Sequence, residues 1–396
     1  MKTVFRFSGI ALLAAAFVGG GAITASAQDA CADADAQGEL YGEFTALYPK
    51  TDLPSRKGAI EKAKQFLEKY GACEVLKEQN DYFKKALPAM EEAVKKIEEA
   101  DVLKSLFARF DNAVKASNTD EIYSAGQEIL AKQPDNMNII VPMGVVGAYQ
   151  SNAANNFKYA DNGIRYANAA MARINAGAAF PKPGGKAGVF QYEFTKLEAT
   201  NELKYALAFL NYYGKKDKAT ALPLYYELSQ GAFKDDPRIY GTIGDYYIEQ
   251  RKPLAEQIRQ KIAEQAKEGE AVEVKEAREE EIKKLVALFN GYNERILDAY
   301  SRAYKVTKDT PANKAYRDNL FNIMQAVYKT RFDRETGLEA YISSTVTKPF
   351  PNPTSEVTPV SDAEPAKTAT SGASATAQPA AKPANGKTAV ATKPKK

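Results

Sequence analysis

The segment Tyr240-Gly-Thr-Ile243-Gly244-Asp-Tyr-Tyr247 decides how the chain is expected to fold. It places an aromatic, an aliphatic, a glycine and a second aromatic at spacings that share one face of an α-helix. Two other triplets, Ala160-Ile164-Ala167 and Ile296-Tyr300-Ala303, repeat apolar or small residues four and then three positions apart. Patterns of this kind are typical of helices packed tightly in pairs.

Together these segments resemble the two helices of a tetratricopeptide repeat. Residues 240–247 are similar to its first helix, and the triplets that contain Ile164 and Tyr300 are similar to its second. The resemblance extends over residues 39–345 and implies an all-α chain, a right-handed α-solenoid of stacked helical hairpins. Such stacks usually present a binding surface rather than a catalytic centre.

The spacing of prolines in predicted turns gives separate support. Pro134, Pro237 and Pro311 lie 103 and 74 residues apart, which is near three and two units of a repeat of about 34 residues. One long, interrupted unit fits the second interval equally well. Gly144 and Gly147 fall in a predicted helix, where they should allow a neighbouring helix to approach closely.

The N-terminus has the pattern of a secretory signal peptide over residues 1–27. Lys2 and Arg6 precede an apolar run, and Ala25-Ser26-Ala27 is a small-x-small cleavage site, so the mature chain should begin at Gln28. Residues 28–38 are expected to form a polar leader. We therefore expect export to a bacterial periplasm or to the cell exterior.

The composition limits the chemistry. The chain has no His, which removes the commonest general base and the commonest metal ligand. We predict no catalytic, cofactor-binding or metal-binding residues. Cys31 and Cys73 are the only cysteines, and an oxidising compartment would permit one disulfide between them, with two unpaired thiols as the alternative.

Charge is distributed unevenly along the chain. Residues 252–284 are dense in Glu, Lys, Gln and Arg and predict a charged helical excursion between the two helices of one repeat, with a return helix from Glu276. Residues 346–396, rich in Pro, Ala, Thr, Ser and Lys, predict a disordered tail. The tail's lysines could make weak contacts with anionic envelope polymers or lipid head groups, whereas the acidic body argues against a specific nucleic-acid partner.

The abundant tyrosines supply the candidate binding site. On a helix, adjacent residues point about 100° apart, so the two members of a tyrosine doublet cannot be equally buried. One member of each doublet could therefore line a groove for an extended peptide or glycan. The candidate groove residues are Tyr212, Tyr213, Tyr225, Tyr226, Tyr240, Tyr246 and Tyr247.

These observations favour a non-enzymatic scaffold or adaptor that binds a protein or peptide partner. A glycan-binding or nutrient-binding protein of the envelope is one alternative, and an envelope enzyme that uses carboxylates is another. The sequence leaves the partner and the oligomeric state open.

Overall fold

The computed structural model describes residues 31–265, 269 and 271–361. The predicted signal peptide, and the predicted tail from residue 362 onward, lie outside the described residues. The chain divides into two compact units between Phe233 and Lys234, and each unit is described separately below.

The first unit is built from helices that each pack on the next one along the chain. Their bounds are α1 Ala34–Leu47, α2 Leu53–Tyr70, α3 Lys77–Lys115, α4 Thr119–Lys132, α5 Met137–Ala154, α6 Ala160–Asn175, α7 Lys196–Phe209 and α8 Lys218–Gln230. Between α6 and α7 lie two short antiparallel strands, β1 Lys186–Ala187 and β2 Phe194–Thr195. A π-helical turn, Leu210–Lys215, continues α7.

Side-chain caps fix where several of these helices begin. Asp33 accepts a hydrogen bond from the backbone N–H of Ala36 at 3.0 Å, and Asp52 accepts one from Ser55 at 2.9 Å. At the start of α7, Thr195 and Glu198 bond reciprocally in a capping box. The cap at Asp33 corrects one prediction: the leader expected at 28–38 is already helical from Ala34, and Gln37 within it is buried.

The first unit contains two apolar cores. In the N-terminal one, the rings of Phe44, Phe66 and Phe83 pack together, and the Phe44 and Phe83 centroids are 4.8 Å apart. Cys73 lies in this core and is joined to Cys31 by a disulfide bond. The bond therefore ties the start of the described chain to the interior of α1–α3.

The second core of this unit surrounds α5, a helix that is buried on nearly every side. Gly144 and Gly147 lie at its contacts with α6. A Cβ atom on Gly144 would be 3.0 Å from the Cα of Ala167, and one on Gly147 would be 3.3 Å from the Cα of Gly163. The two glycines therefore do permit the close helix approach that the sequence predicted.

In the described part of the second unit, three α-helices pack on a fourth, α10. Their bounds are α9 Pro237–Gln265, α10 Val272–Val306, α11 Lys314–Phe332 and α12 Leu338–Thr345. Ile243 and Tyr247 of α9 are buried, as are Ile296 and Tyr300 of α10. The Tyr300 hydroxyl donates to Asp245 Oδ1 at 2.5 Å, so the two sequence patterns that suggested paired helices do lie on helices that pack together.

The charged excursion forms the distal parts of α9 and α10. No described residue between 252 and 284 is buried. Lys261 of α9 and Glu281 of α10 form an ion pair at 2.9 Å across the hairpin. The return helix begins at Val272, earlier than the predicted Glu276.

Residues 346–361, called the C-terminal strap below, correct the prediction of a tail disordered from residue 346. Val360 N donates to Ala287 O at 2.8 Å, and Arg302 Nη2 donates to Lys348 O at 2.6 Å. Phe350 and Val357 are each only 7% exposed. The burial of these two apolar side chains and the hydrogen bonds to α10 offset the entropy lost when the strap becomes ordered. The prediction missed this because it used the average composition of residues 346–396, which is polar.

Candidate functional site

The tyrosine doublets split as helix geometry requires. Within each doublet one ring is buried and the other is half-buried, and none of the six rings is exposed. The buried members are Tyr212, Tyr225 and Tyr247, and the half-buried members are Tyr213, Tyr226 and Tyr246. Tyr240 is buried and packs edge-on against Phe350 at 5.2 Å. Most of the predicted groove residues therefore contribute to packing.

The doublets also fall into different units of the chain. The pairs Tyr212-Tyr213 and Tyr225-Tyr226 belong to the first unit, whereas Tyr240 and the pair Tyr246-Tyr247 belong to the second. Within the first unit, Tyr213 stacks on Phe157 with centroids 6.4 Å apart. The seven predicted residues are therefore divided between the two units.

An exposed aromatic cluster lies instead on the N-terminal core. Tyr41, Tyr48 and Tyr82 are 40%, 47% and 43% exposed. Their rings rest on the phenylalanines beneath them: Tyr48 lies 5.1 Å from Phe44, and Tyr82 lies 5.6 Å from Phe83. The supporting rings are buried, so the three tyrosines are held on a rigid base.

A groove of about 630 Å³ begins at this cluster and runs along α3. Tyr48 and Tyr82 line one part of it, and the remaining apolar lining comes from small or flexible side chains, which are Ala86, Ala89, Met90 and Ala93. Because alanine occupies little space, the surface of α3 leaves room here for side chains from another molecule. A volume of this size suits a few side chains of a ligand rather than a whole domain.

The groove is cationic at its rim. Arg56 and Lys85 line it, and its lining includes no carboxylate among the described residues. The Arg56 Nε donates to Thr51 O at 3.3 Å, which fixes the base of the guanidinium. A hydrogen bond to Tyr48, aided by burial, raises the pKa of the Tyr82 phenol, so the Tyr82 ring stays neutral. The groove therefore offers flat aromatic surface, an apolar floor and positive charge.

This groove was not predicted from the sequence, because the candidate residues were chosen from the tyrosine doublets and Tyr240, all between residues 212 and 247. The available signal was local: Tyr82, Ala86, Ala89 and Ala93 recur at helical spacing on α3. A tyrosine followed by small residues on one helix face indicates an open strip beside an aromatic ring. The contribution of Tyr48 to the same strip could not be inferred without knowing how α1 packs on α3.

Two acids of the second unit, Asp298 and Glu294, are paired with arginines. Asp298 Oδ1 accepts from Arg302 Nε at 2.6 Å, and Glu294 Oε1 accepts from Arg331 Nη2 at 2.9 Å. Burial raises the pKa of Asp298, while its hydrogen bond to Arg302 acts in the opposite direction. Neither carboxylate is arranged as a proton donor or acceptor for a substrate, because each already holds a cation.

No group of three or more Cys, Asp or Glu side chains among the described residues is placed to hold a metal ion. None of the described helices combines the length and the apolar character needed to cross a membrane.

Comparisons of the chain with family models, with curated proteins and with solved structures found no match. The resemblance to tetratricopeptide repeats therefore stays a prediction from the sequence.

Proposed function

We propose that this chain is an exported, non-enzymatic scaffold or adaptor that binds a peptide segment of a protein partner. In this proposal its paired helices are divergent repeats of the tetratricopeptide type, stacked as a solenoid, and the N-terminal groove is the peptide site. The observation that carries the proposal is the exposed cluster of Tyr41, Tyr48 and Tyr82 beside a groove floored by alanines.

The chemistry of the groove specifies the kind of peptide. Exposed tyrosine rings provide large amphipathic contacts at little entropic cost, as they do in many protein-binding surfaces. The alanine floor accepts one or two aliphatic side chains of the ligand. Arg56 and Lys85 favour a peptide that carries a carboxylate beside those apolar residues, because no acid of the groove competes for them.

A selection from a displayed peptide library tests the proposal directly. We expect the mature protein to select peptides that combine acidic and aliphatic residues, and we expect fluorescence anisotropy of a selected peptide to show saturable binding. Tyr48→Ala and Tyr82→Ala should each weaken binding by about tenfold, the loss expected from truncating a central aromatic contact.

Tyr149→Ala is the matched control, because Tyr149 is 40% exposed in the same unit and does not line the groove. It should bind the selected peptide as the wild type does. Thermal melts of all three variants show whether the fold survives. The proposal is overturned if no peptide is selected, or if the Tyr149 variant loses as much affinity as the groove variants.

Glycan binding is the second candidate, and the three exposed rings favour it because flat aromatic faces also pack against sugar rings. A panel of oligosaccharides separates the two functions. Saturable micromolar binding of a glycan, reduced by Tyr48→Ala, would replace the peptide proposal. A carboxylate-based enzyme has less support, because Glu294 and Asp298 are each paired with an arginine.

A further inference from the structure

A small cavity lies in the second unit, whereas the proposed peptide groove belongs to the first. It encloses about 220 Å³ between α10, α12 and the C-terminal strap. It is large enough for a small ion or a small organic acid.

The strap forms one wall of this cavity. Lys348, Pro351, Thr358 and Val360 of the strap line it. Gly291 of α10 permits the close contact, because a Cβ atom there would collide with the carbonyl oxygen of Thr358. The cavity therefore exists only while the strap lies against α10.

Positive charge exceeds negative charge around the cavity. Glu294 and Asp298 line it, but their binding partners Arg331 and Arg302 compensate both charges. Arg295 and Lys348 also line it, and neither forms an ion pair with a described residue. Two lining cations thus remain without a counter-charge within ion-pair distance.

Arg295 has an unsatisfied hydrogen-bond donor, which points to a ligand. Its Nη2 donates to Ser355 Oγ of the strap at 3.1 Å. Its Nη1 is shielded from solvent and has no hydrogen-bond partner among the described residues. The centroid of the Tyr247 ring lies 6.0 Å from Arg295 Cζ, at the outer limit of a cation–π contact, and a ring face offers Nη1 no oxygen acceptor. A buried guanidinium nitrogen without an acceptor is costly, so an acceptor from outside the protein would stabilise this arrangement.

We propose that this cavity binds a small oxyanion of the carboxylate or phosphate type, with Arg295 as the hydrogen-bond donor and Lys348 as the second positive charge. Planar guanidinium groups favour such ligands because they match the geometry of their oxygen atoms. Binding would also hold the strap, since Arg295 contacts Ser355 and Lys348 belongs to the strap itself. The site is independent of the peptide groove, and either proposal can fail without the other.

Calorimetry and thermal melts of the mature protein test the site, with inorganic phosphate, sulfate, acetate and succinate added at constant ionic strength against chloride. We expect saturable binding and a higher melting temperature with at least one of the four anions. A response to succinate or acetate alone would identify a carboxylate site, and a response to phosphate or sulfate alone would identify a site for tetrahedral oxyanions.

Four variants separate ligand binding from effects on the strap. Arg295→Gln and Lys348→Gln should each weaken the anion about tenfold or more, as expected for loss of a charged hydrogen bond or counter-charge. Ser355→Ala removes the contact between Arg295 and the strap and the hydrogen bond from Ser355 Oγ to Asn352 O, but neither positive charge, so it should retain most of the affinity. Lys308→Gln, an exposed lysine of the same unit outside the cavity, should behave as the wild type.

Two results would overturn the proposal. One is the absence of any saturable effect of the four anions beyond that of chloride, which would mean that water satisfies Arg295. The other is unchanged affinity in both Arg295→Gln and Lys348→Gln when their melts without anion match the wild type. If Arg295→Gln fails to fold, Lys348→Gln alone decides, because Lys348 donates no side-chain hydrogen bond to a described residue.

Discussion

Gly244 of α9 lies directly against the ring of Tyr300 of α10: a Cβ atom at position 244 would be 2.6 Å from that ring. The two helices can pack this closely because residue 244 has no side chain. We therefore expect Gly244→Ala to destabilise the protein by about 1–3 kcal/mol, the usual cost of overpacking a well-filled core. The clash involves an aromatic ring that is only 2% exposed and has little room to move. Urea unfolding followed by circular dichroism measures the change.

Gly42→Ala provides the control for the helix propensity of alanine. Gly42 lies in α1, and a Cβ atom there would meet nothing within 4 Å. This variant should be unchanged or up to about 1 kcal/mol more stable, because alanine favours a helix over glycine. Equal urea midpoints for Gly244→Ala and the wild type would show that the hairpin can relax around an extra methyl group.

The disulfide gives a second prediction. Cys31 and Cys73 are 42 residues apart in sequence, and a loop of that length corresponds to at most about 4 kcal/mol of stabilisation in the chain-entropy model. Reduction should therefore lower the stability of the N-terminal core and loosen α1. Urea unfolding with and without a reductant measures the loss.

A double variant with serine at both cysteine positions serves as the reference for reduction. It should match the reduced wild type and should not respond to the reductant. A wild-type midpoint that is unaffected by reduction would mean that Phe44 and Phe66 hold α1 in place without the bond.

The helices were predictable from the sequence because their signals are local. Apolar residues at helical spacing mark α9 and α10, and the polar cap Asn136 comes directly before α5. Such signals predict the all-α class, and the structure agrees: the described strands are only two residues each. The handedness and stacking of the helix pairs depend on contacts between distant residues and stay part of the proposal.

The groove and the strap were not predictable for two different reasons. Tyr41 and Phe44 lie near each other on one helix, yet Tyr41 is 40% exposed and Phe44 only 2%. The packing of α3 determines which of the two rings is buried. Phe350 and Val357 stand in a proline-rich segment without periodicity, so nothing local indicates that they are buried. Both features arise from tertiary contacts.

A third prediction concerns the charged part of the α9–α10 hairpin. Replacing residues 252–284 by a short Gly/Ser linker should leave a cooperative thermal transition and cost less than about 1 kcal/mol. No described residue of the segment is buried, and its ion pair of Lys261 with Glu281 is exposed to solvent. Differential scanning calorimetry of the deletion variant measures both the cooperativity of unfolding and the change in stability.

A longer deletion, of residues 248–291, is the control. It also removes Ala287, whose carbonyl accepts from Val360, and Gly291, which the strap contacts. This variant should lose the docked strap and melt at a lower temperature. If the shorter deletion already abolishes cooperative melting, the charged segment has a structural role that its exposure does not explain.

The fourth prediction uses the buried hydroxyl of Tyr247, which has no hydrogen-bond partner among the described residues. Removing an unsatisfied hydroxyl costs little, so Tyr247→Phe should be unchanged or up to about 1 kcal/mol more stable at pH 8. Tyr300→Phe is the matched control: it loses the bond to Asp245 and should be destabilised by about 1.5–3 kcal/mol. Urea unfolding of both variants gives the comparison.

Alkaline pH should widen the difference in the free energy of unfolding between Tyr247→Phe and the wild type. Burial raises the pKa of Tyr247 to about 12, against the ordinary value of 10.0, so between these values the unfolded chain releases its proton before the folded chain does. Wild-type stability should therefore fall as the pH rises above about 10, and the variant should escape this loss, which is about 1.4 kcal/mol at pH 11. Tyr341, whose pKa burial also raises to about 12, contributes equally to both proteins and cancels in the difference. A gap that stays constant from pH 8 to pH 11 would mean that Tyr247 ionises as freely in the folded protein as in the unfolded chain.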